Sequence, residues 1–260
     1  MKVKLNLNAS KTKIKSDISP LKSKQIINTP LVEENNIKNP KKAFDLFESH
    51  ITKTLKNNKK VNQETFYLQL NAICNEFKNK SQIDLMNKNI KRFAETLVSL
   101  GNGTLASIIY SLLIKLNIDN PKLLEGLALN GLAIAKRFHD PIHIMARCED
   151  LRRLYVANGV QDEKFVKVLY EEKRALNSIC TNYEGAQSRY KSIRREMKPL
   201  KNYQIMLGAI KIQIAKAIKD KSPKDALQEL KSAYELLKMG GDKKFINEIP
   251  ALLDELAKKV

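Results

Sequence analysis

At 260 residues, 43% hydrophobic and with nine Gly and eight Pro, the chain is long enough to bury a sizeable core, and its composition excludes disorder along its whole length. Few Val and Thr argue against a large β structure. The net charge of +19 points towards nucleic acid, an anionic membrane surface or acidic proteins as partners, although 38 of the 47 basic residues are Lys, a bias that an AT-rich coding sequence would also produce.

Residues 1–60 carry 14 Lys against five acidic residues, a net of +9. Residues 1–40, rich in Lys, Asn and Ser, read as a flexible basic N-terminal arm. Val3, Leu5 and Leu7 alternate with polar residues there and would suit a short strand, a weaker reading than a disordered start. The first residues lack the apolar run of a secretory signal.

From Pro40 the apolar period becomes 3.6. Phe44, Phe47, Ile51 and Leu55 line a first helix, and Phe66, Leu70, Ile73 and Phe77 a second. Met86, Ile90, Phe93, Leu97 and Leu100 line a third, stopped by Gly101. Ile108, Ile109, Leu112, Leu113 and Leu116 line a fourth. A capping residue followed by proline then punctuates the chain at Asn120-Pro121, Asp140-Pro141 and Ser222-Pro223, and also at Asn39-Pro40. The cap accepts from a free amide of the first turn, and proline fills the first helical position without losing a bond. Later helices are expected over about 121–138, 141–157, 162–181, 184–198, 200–219, 223–239 and 242–258. Gly159 and Gly240-Gly241 are stops, and Pro250 kinks or delays the last helix. Short connections place consecutive helices antiparallel and in contact.

The run Ile90, Phe93-Ala94, Leu97, Gly101, Ala106, Tyr110, Leu113 resembles a tetratricopeptide repeat, most clearly at residues 87–120 and again, more faintly, at 222–242. Ala94 and Ala106 would let two helices cross closely, with Tyr110 beside them. Leu113 stands where the family has a second alanine, Pro121 comes late, and Gly126 and Gly131 fall off the register. The resemblance implies an all-α fold, a right-handed α-solenoid of antiparallel helical hairpins over 41–260, with an irregular helical bundle as the alternative. It also implies a protein–protein interaction scaffold without enzymatic activity, binding a partner peptide or helix in a groove.

No metal, cofactor or catalytic constellation stands out. The pair His139 and His143 has i,i+4 spacing, but Pro141 makes Asp140 the cap and leaves His139 outside the helix. Gly101-Asn102-Gly103-Thr104 lacks the Lys-Ser/Thr and the strand of a phosphate loop and reads as a turn. Cys74, Cys148 and Cys180 occupy apolar helical positions, as buried thiols do in a reducing compartment. With the most apolar stretch too short to span a bilayer, the expected location is cytoplasmic.

Eight of the nine arginines lie between Arg137 and Arg195. The guanidinium fork suits carboxylates and phosphates, so Arg147, Arg152, Arg153, Arg189, Arg194 and Arg195, with Tyr190 next to Arg194 on a helical face, are the candidate partner-binding residues. Ordinary pairing with Glu149, Asp150, Glu171 and Glu172 is the competing account. The expected partner is a protein that is acidic or offers a free carboxylate. Association with RNA or other nucleic acid through Lys-rich charge is the second reading. The oligomeric state is left open.

Overall fold

The structure, a computed structural model, describes residues 37–190 and 197–259, except the side chains of residues 189 and 190. Most of the arm therefore lies outside the described residues. Ile37, at the end of that arm, is buried in the first core.

The described residues form an all-α stack of antiparallel hairpins. The long helices are α1 (Pro40–Lys56), α2 (Gln63–Asn79), α3 (Ile83–Ser99), α4 (Gly103–Leu116), α5 (Pro121–Arg137), α6 (Pro141–Ala157) and α7 (Glu163–Thr181). After a short α8 (Tyr183–Tyr190) come α9 (Leu200–Ile218), α10 (Pro223–Gly240), the single turn α11 (Lys243–Ile246) and α12 (Ile249–Ala257). Each long helix packs mainly on its chain neighbours, as in a solenoid. Three cores follow one another in sequence order, from Ile37 to Leu127, from Ala128 to Ile214 and from Ile212 to Leu256.

Asn and Asp side chains start the helices. Asn39, Asn62, Asn102, Asn120, Asp140, Asp162 and Asp242 each accept from a first-turn amide. Ser222 holds the cap position of α10, yet its hydroxyl makes no such bond, which differs from the expectation for that site. Gly101, Gly159 and Gly241 are left-handed, at φ of 74°, 67° and 73°, where a β-carbon would be strained. The last expected helix is two pieces, because Pro250 sits in the first turn of α12 where its missing amide costs nothing.

The first core is aromatic. The Phe93 ring meets Phe44 at 5.9 Å and Phe47 at 6.0 Å, both nearly edge-on, and Phe66 at 6.1 Å. Edge-to-face contact aligns the positive ring edge with the negative face. Helix α4 is apolar almost all round and most of it is buried, as a central helix must be.

The α9–α10 hairpin is packed more tightly. Ile205, Gly208, Ile212 and Ala215 on α9 face Ala226, Leu230, Ala233, Leu237 and Gly240 on α10, with alternating three- and four-residue spacing on both helices. A β-carbon on Gly208 would lie 2.7 Å from Leu237 and 3.3 Å from the Ala233 carbonyl, and one on Gly240 would lie 2.5 Å from Ile205. The helices approach closely because both carry glycine at the crossing. Gly208→Leu would gain about 1 kcal/mol of helix propensity, but forcing four carbons into that gap costs ~1–3 kcal/mol or more. We expect a lowered melting temperature by circular dichroism; an unchanged melt would show that the hairpin spacing is set elsewhere.

Candidate groove between α5 and α7

Cross-helix ion pairs identify the helices that share one face of the stack. Arg92 of α3 reaches Glu48 of α1 at 2.6 Å. Lys136 of α5 reaches Glu171 of α7 at 2.8 Å. Lys173 of α7 and Lys211 of α9 both bond Glu229 of α10, at 2.5 and 2.9 Å. Thus α1 and α3 run side by side, as do α5 and α7, with the intervening helix behind.

Between α5 and α7 the surface opens into a groove of about 830 Å³. Leu129 and Leu132 form one wall and Val166, Val168 and Tyr170 the other, with Tyr155 of α6 between them. Leu129 is 44% exposed although apolar. The Tyr155 hydroxyl donates to Glu125 at 2.9 Å; burial, then that carboxylate, push the phenol up to about 12, so it stays a neutral donor across physiological pH. A second hollow, lined by Asp119, Lys122, Glu125, Tyr155, Asp162 and Lys164 among others, continues the groove towards the helix starts. The corresponding space between α1 and α3 is lined by polar and charged residues only, among them Asp45, Ser49, Thr52 and Thr96. The α5–α7 groove is therefore the apolar one of the two.

The groove follows from hairpin geometry. The Tyr155–Glu125 bond joins the end of α6 to the start of α5, so these helices are antiparallel. Arg152 of α6 meets Glu172 of α7, and α6 is antiparallel to α7 as well. Consequently α5 and α7 run the same way, spaced by α6 behind them.

Arg147, Arg152 and Arg153, singled out in the sequence, lie elsewhere. Arg147 is 6% exposed and pairs with Asp150 at 3.1 Å. Its aliphatic stem crosses Gly131, where a β-carbon would lie 2.9 Å from the Arg147 Cδ and 3.1 Å from the Tyr110 Cβ. Gly131, off the repeat register in sequence, is thus what lets α4, α5 and the Arg147 side chain meet. Arg152 makes a two-pronged pair with the fully buried Glu172, at 2.9 and 3.4 Å. Burial raises the Glu172 carboxyl above its ordinary range, against the lowering effect of Arg152. Arg153 pairs with Glu149 at 2.5 Å on the surface of α6. None of these three lines the groove. The side chains of Arg189 and Tyr190, and all of Arg194 and Arg195, lie outside the described residues.

Other sequence candidates have structural places. His139 is left-handed at φ 50°, outside the helix, and Asp140 caps α6 while bonding His143 Nδ1 at 2.8 Å. Asn102 caps α4, so the glycine-rich turn there is a helix start. Cys74 and Cys148 are buried and Cys180 half-buried; desolvation pushes the Cys74 thiol up to about 12, which keeps it an inert packing group. Among the described residues no cluster of His, Cys, Asp or Glu could hold a metal, and no helix is long and apolar enough to cross a membrane.

No family model and no curated protein matches the chain. Among solved structures it is similar to a circular tandem repeat protein with novel repeat topology and enhanced subunit contact surfaces, at 12% identity and a TM-score of 0.24. The match covers 84% of this chain and 50% of that one, so the chain spans about half its length.

Proposed function

We propose that this protein is a non-enzymatic scaffold that receives a segment of a protein partner in the groove between α5 and α7. The observation that carries the reading is a three-sided groove whose apolar stripe, with Leu129 left 44% exposed, is flanked by charged residues. Leu129 does not stand alone there: Leu132, Val166, Val168 and Tyr170 gather with it on one concave surface, and such clustered apolar concavities are where partner segments dock. The tetratricopeptide resemblance of residues 87–120 favours the same class of role. The arginines of α6 act within the fold in this reading, holding α6 on α7, and the groove residues carry the binding. The net charge of +19 adds long-range attraction for acidic partners, weakened by salt.

The test is Leu129→Asp, at a position exposed enough to leave the helix intact. Wild type and variant are used to capture proteins from a host lysate with and without nuclease treatment. A discrete partner held by wild type and lost at least about tenfold by the variant, roughly 1.4 kcal/mol, is the expected outcome. Capture that vanishes with nuclease for both proteins would instead favour the nucleic-acid reading, which rests on the Lys-rich charge.

A further inference from the structure

On the reading that the α5–α7 groove is a docking site, we propose that its occupant is an amphipathic helix lying antiparallel to both walls, with carboxylates along its N-terminal half and lysines or arginines along its C-terminal half. The groove has two electrically different ends. At the far end Lys136 and Arg174 share the single carboxylate of Glu171, at 2.8 and 3.3 Å, which leaves one positive charge in surplus. At the near end four carboxylates, Asp119, Glu125, Asp162 and Glu163, gather with Lys122, Lys164 and Lys167, and Lys221 acts on Glu163 as well, so that end has no positive surplus and offers carboxylates to a partner's cations.

The backbone gives the same direction. Both walls start at the near end, so their positive helix ends lie there, and α5 finishes at the far end with its negative terminus. A helix laid antiparallel places its own positive end beside the α5 terminus and its negative end beside the two wall starts. Its side-chain charges then meet Lys136 and Arg174 at one end and the acidic group at the other. From Glu163 to Arg174 the wall spans roughly 16 Å at the helical rise, about three turns. That length suits a short helix anchored by two or three apolar residues at i, i+3/i+4 and i+7 spacing. A second copy of this chain is disfavoured as the occupant, because two molecules each carrying +19 repel one another.

The test uses the full chain and a display library of helical peptides of about 18 residues with a constant apolar face and randomised charged positions. Peptides bound by wild type and rejected by Leu129→Asp are kept. The strongest is then synthesised twice, as selected and with its charge order reversed, both hydrocarbon-stapled to equal helicity so that intrinsic helix stability does not decide the result. We expect acidic-to-basic order in the selected set and at least tenfold weaker binding of the reversed peptide by fluorescence anisotropy. The preference should shrink for Lys136→Glu. Leu129-dependent peptides with no charge order, or the opposite order, would overturn this inference while leaving the groove as a docking site. An absence of Leu129-dependent peptides would overturn both. Self-association of the free chain that Leu129→Asp abolishes would overturn the helix as the occupant in favour of a second copy.

Discussion

Replacing Arg152 with Met while Glu172 remains is expected to destabilise the protein by about 3–5 kcal/mol, because it strands a buried carboxylate without its partner. Glu172 is fully buried and Arg152 supplies both of its charge-assisted hydrogen bonds. The double replacement Arg152→Met with Glu172→Leu removes both charges and is expected to recover most of that loss, since apolar groups of similar volume often equal or exceed a buried pair. The single variant should also titrate. Glu172 has a raised pKa in the folded state even with Arg152 present. Without the guanidinium the folded state holds that proton more tightly than the unfolded chain does. Stability then rises as pH falls from the raised folded pKa towards the ordinary carboxylate range of about 4.3. Urea denaturation at pH 7 and pH 5 measures this: the single variant should lose less against wild type at pH 5, and the double variant should show no such recovery. An equal deficit at both values would mean that Glu172 is not the source of the cost.

Glu229 carries the opposite sign. Burial pushes its carboxyl up, but hydrogen bonds from Lys173 and Lys211 outweigh that and hold it below the ordinary range. Its contribution is present above the ordinary carboxylate pKa and is lost as pH falls below that value and through the lowered folded pKa. Two carboxylates, one on α7 and one on α10, therefore bend the acid limb of stability in opposing directions.

Phe93→Ala should cost about 3–5 kcal/mol, the range for removing a buried aromatic ring. Three other rings, two of them edge-on, lose their partner at once. The loss should stay local. The first core is built by α1–α4 with a contribution from α5, and the third by α9–α12. Hydrogen exchange in Phe93→Ala is expected to accelerate across α1–α4 and to leave α9 and α10 unchanged, since repeat stacks couple through nearest neighbours. Uniform acceleration through α10 would show one cooperative unit.

Much of the fold is legible in the residues themselves. Cap-proline pairs mark the starts of α1, α5 and α6, where both the side-chain bond and the proline position are local chemistry. Apolar periodicity marks the buried faces of α1–α4 for the same reason. The groove is not legible in this way. Leu129, Val166 and Tyr170 are ordinary positions on amphipathic helices, and whether two parallel helices stand apart depends on the helix behind them. The roles of Arg147 and Arg152 are equally non-local. A guanidinium that suits a partner's carboxylate suits Asp150 or Glu172 equally well, and only packing decides between them. Gly131 breaks the repeat spacing because it answers to Tyr110 and Arg147 across helices.

Because the three cores succeed one another along the chain, a force applied at its two ends would be carried in series. Hairpins should then yield one at a time, each of roughly 40 residues releasing ~130 Å of extended chain. The aromatic end and the glycine-matched α9–α10 end would give way at different loads. The molecule would behave as a stepped spring, and its record under tension would count its repeats.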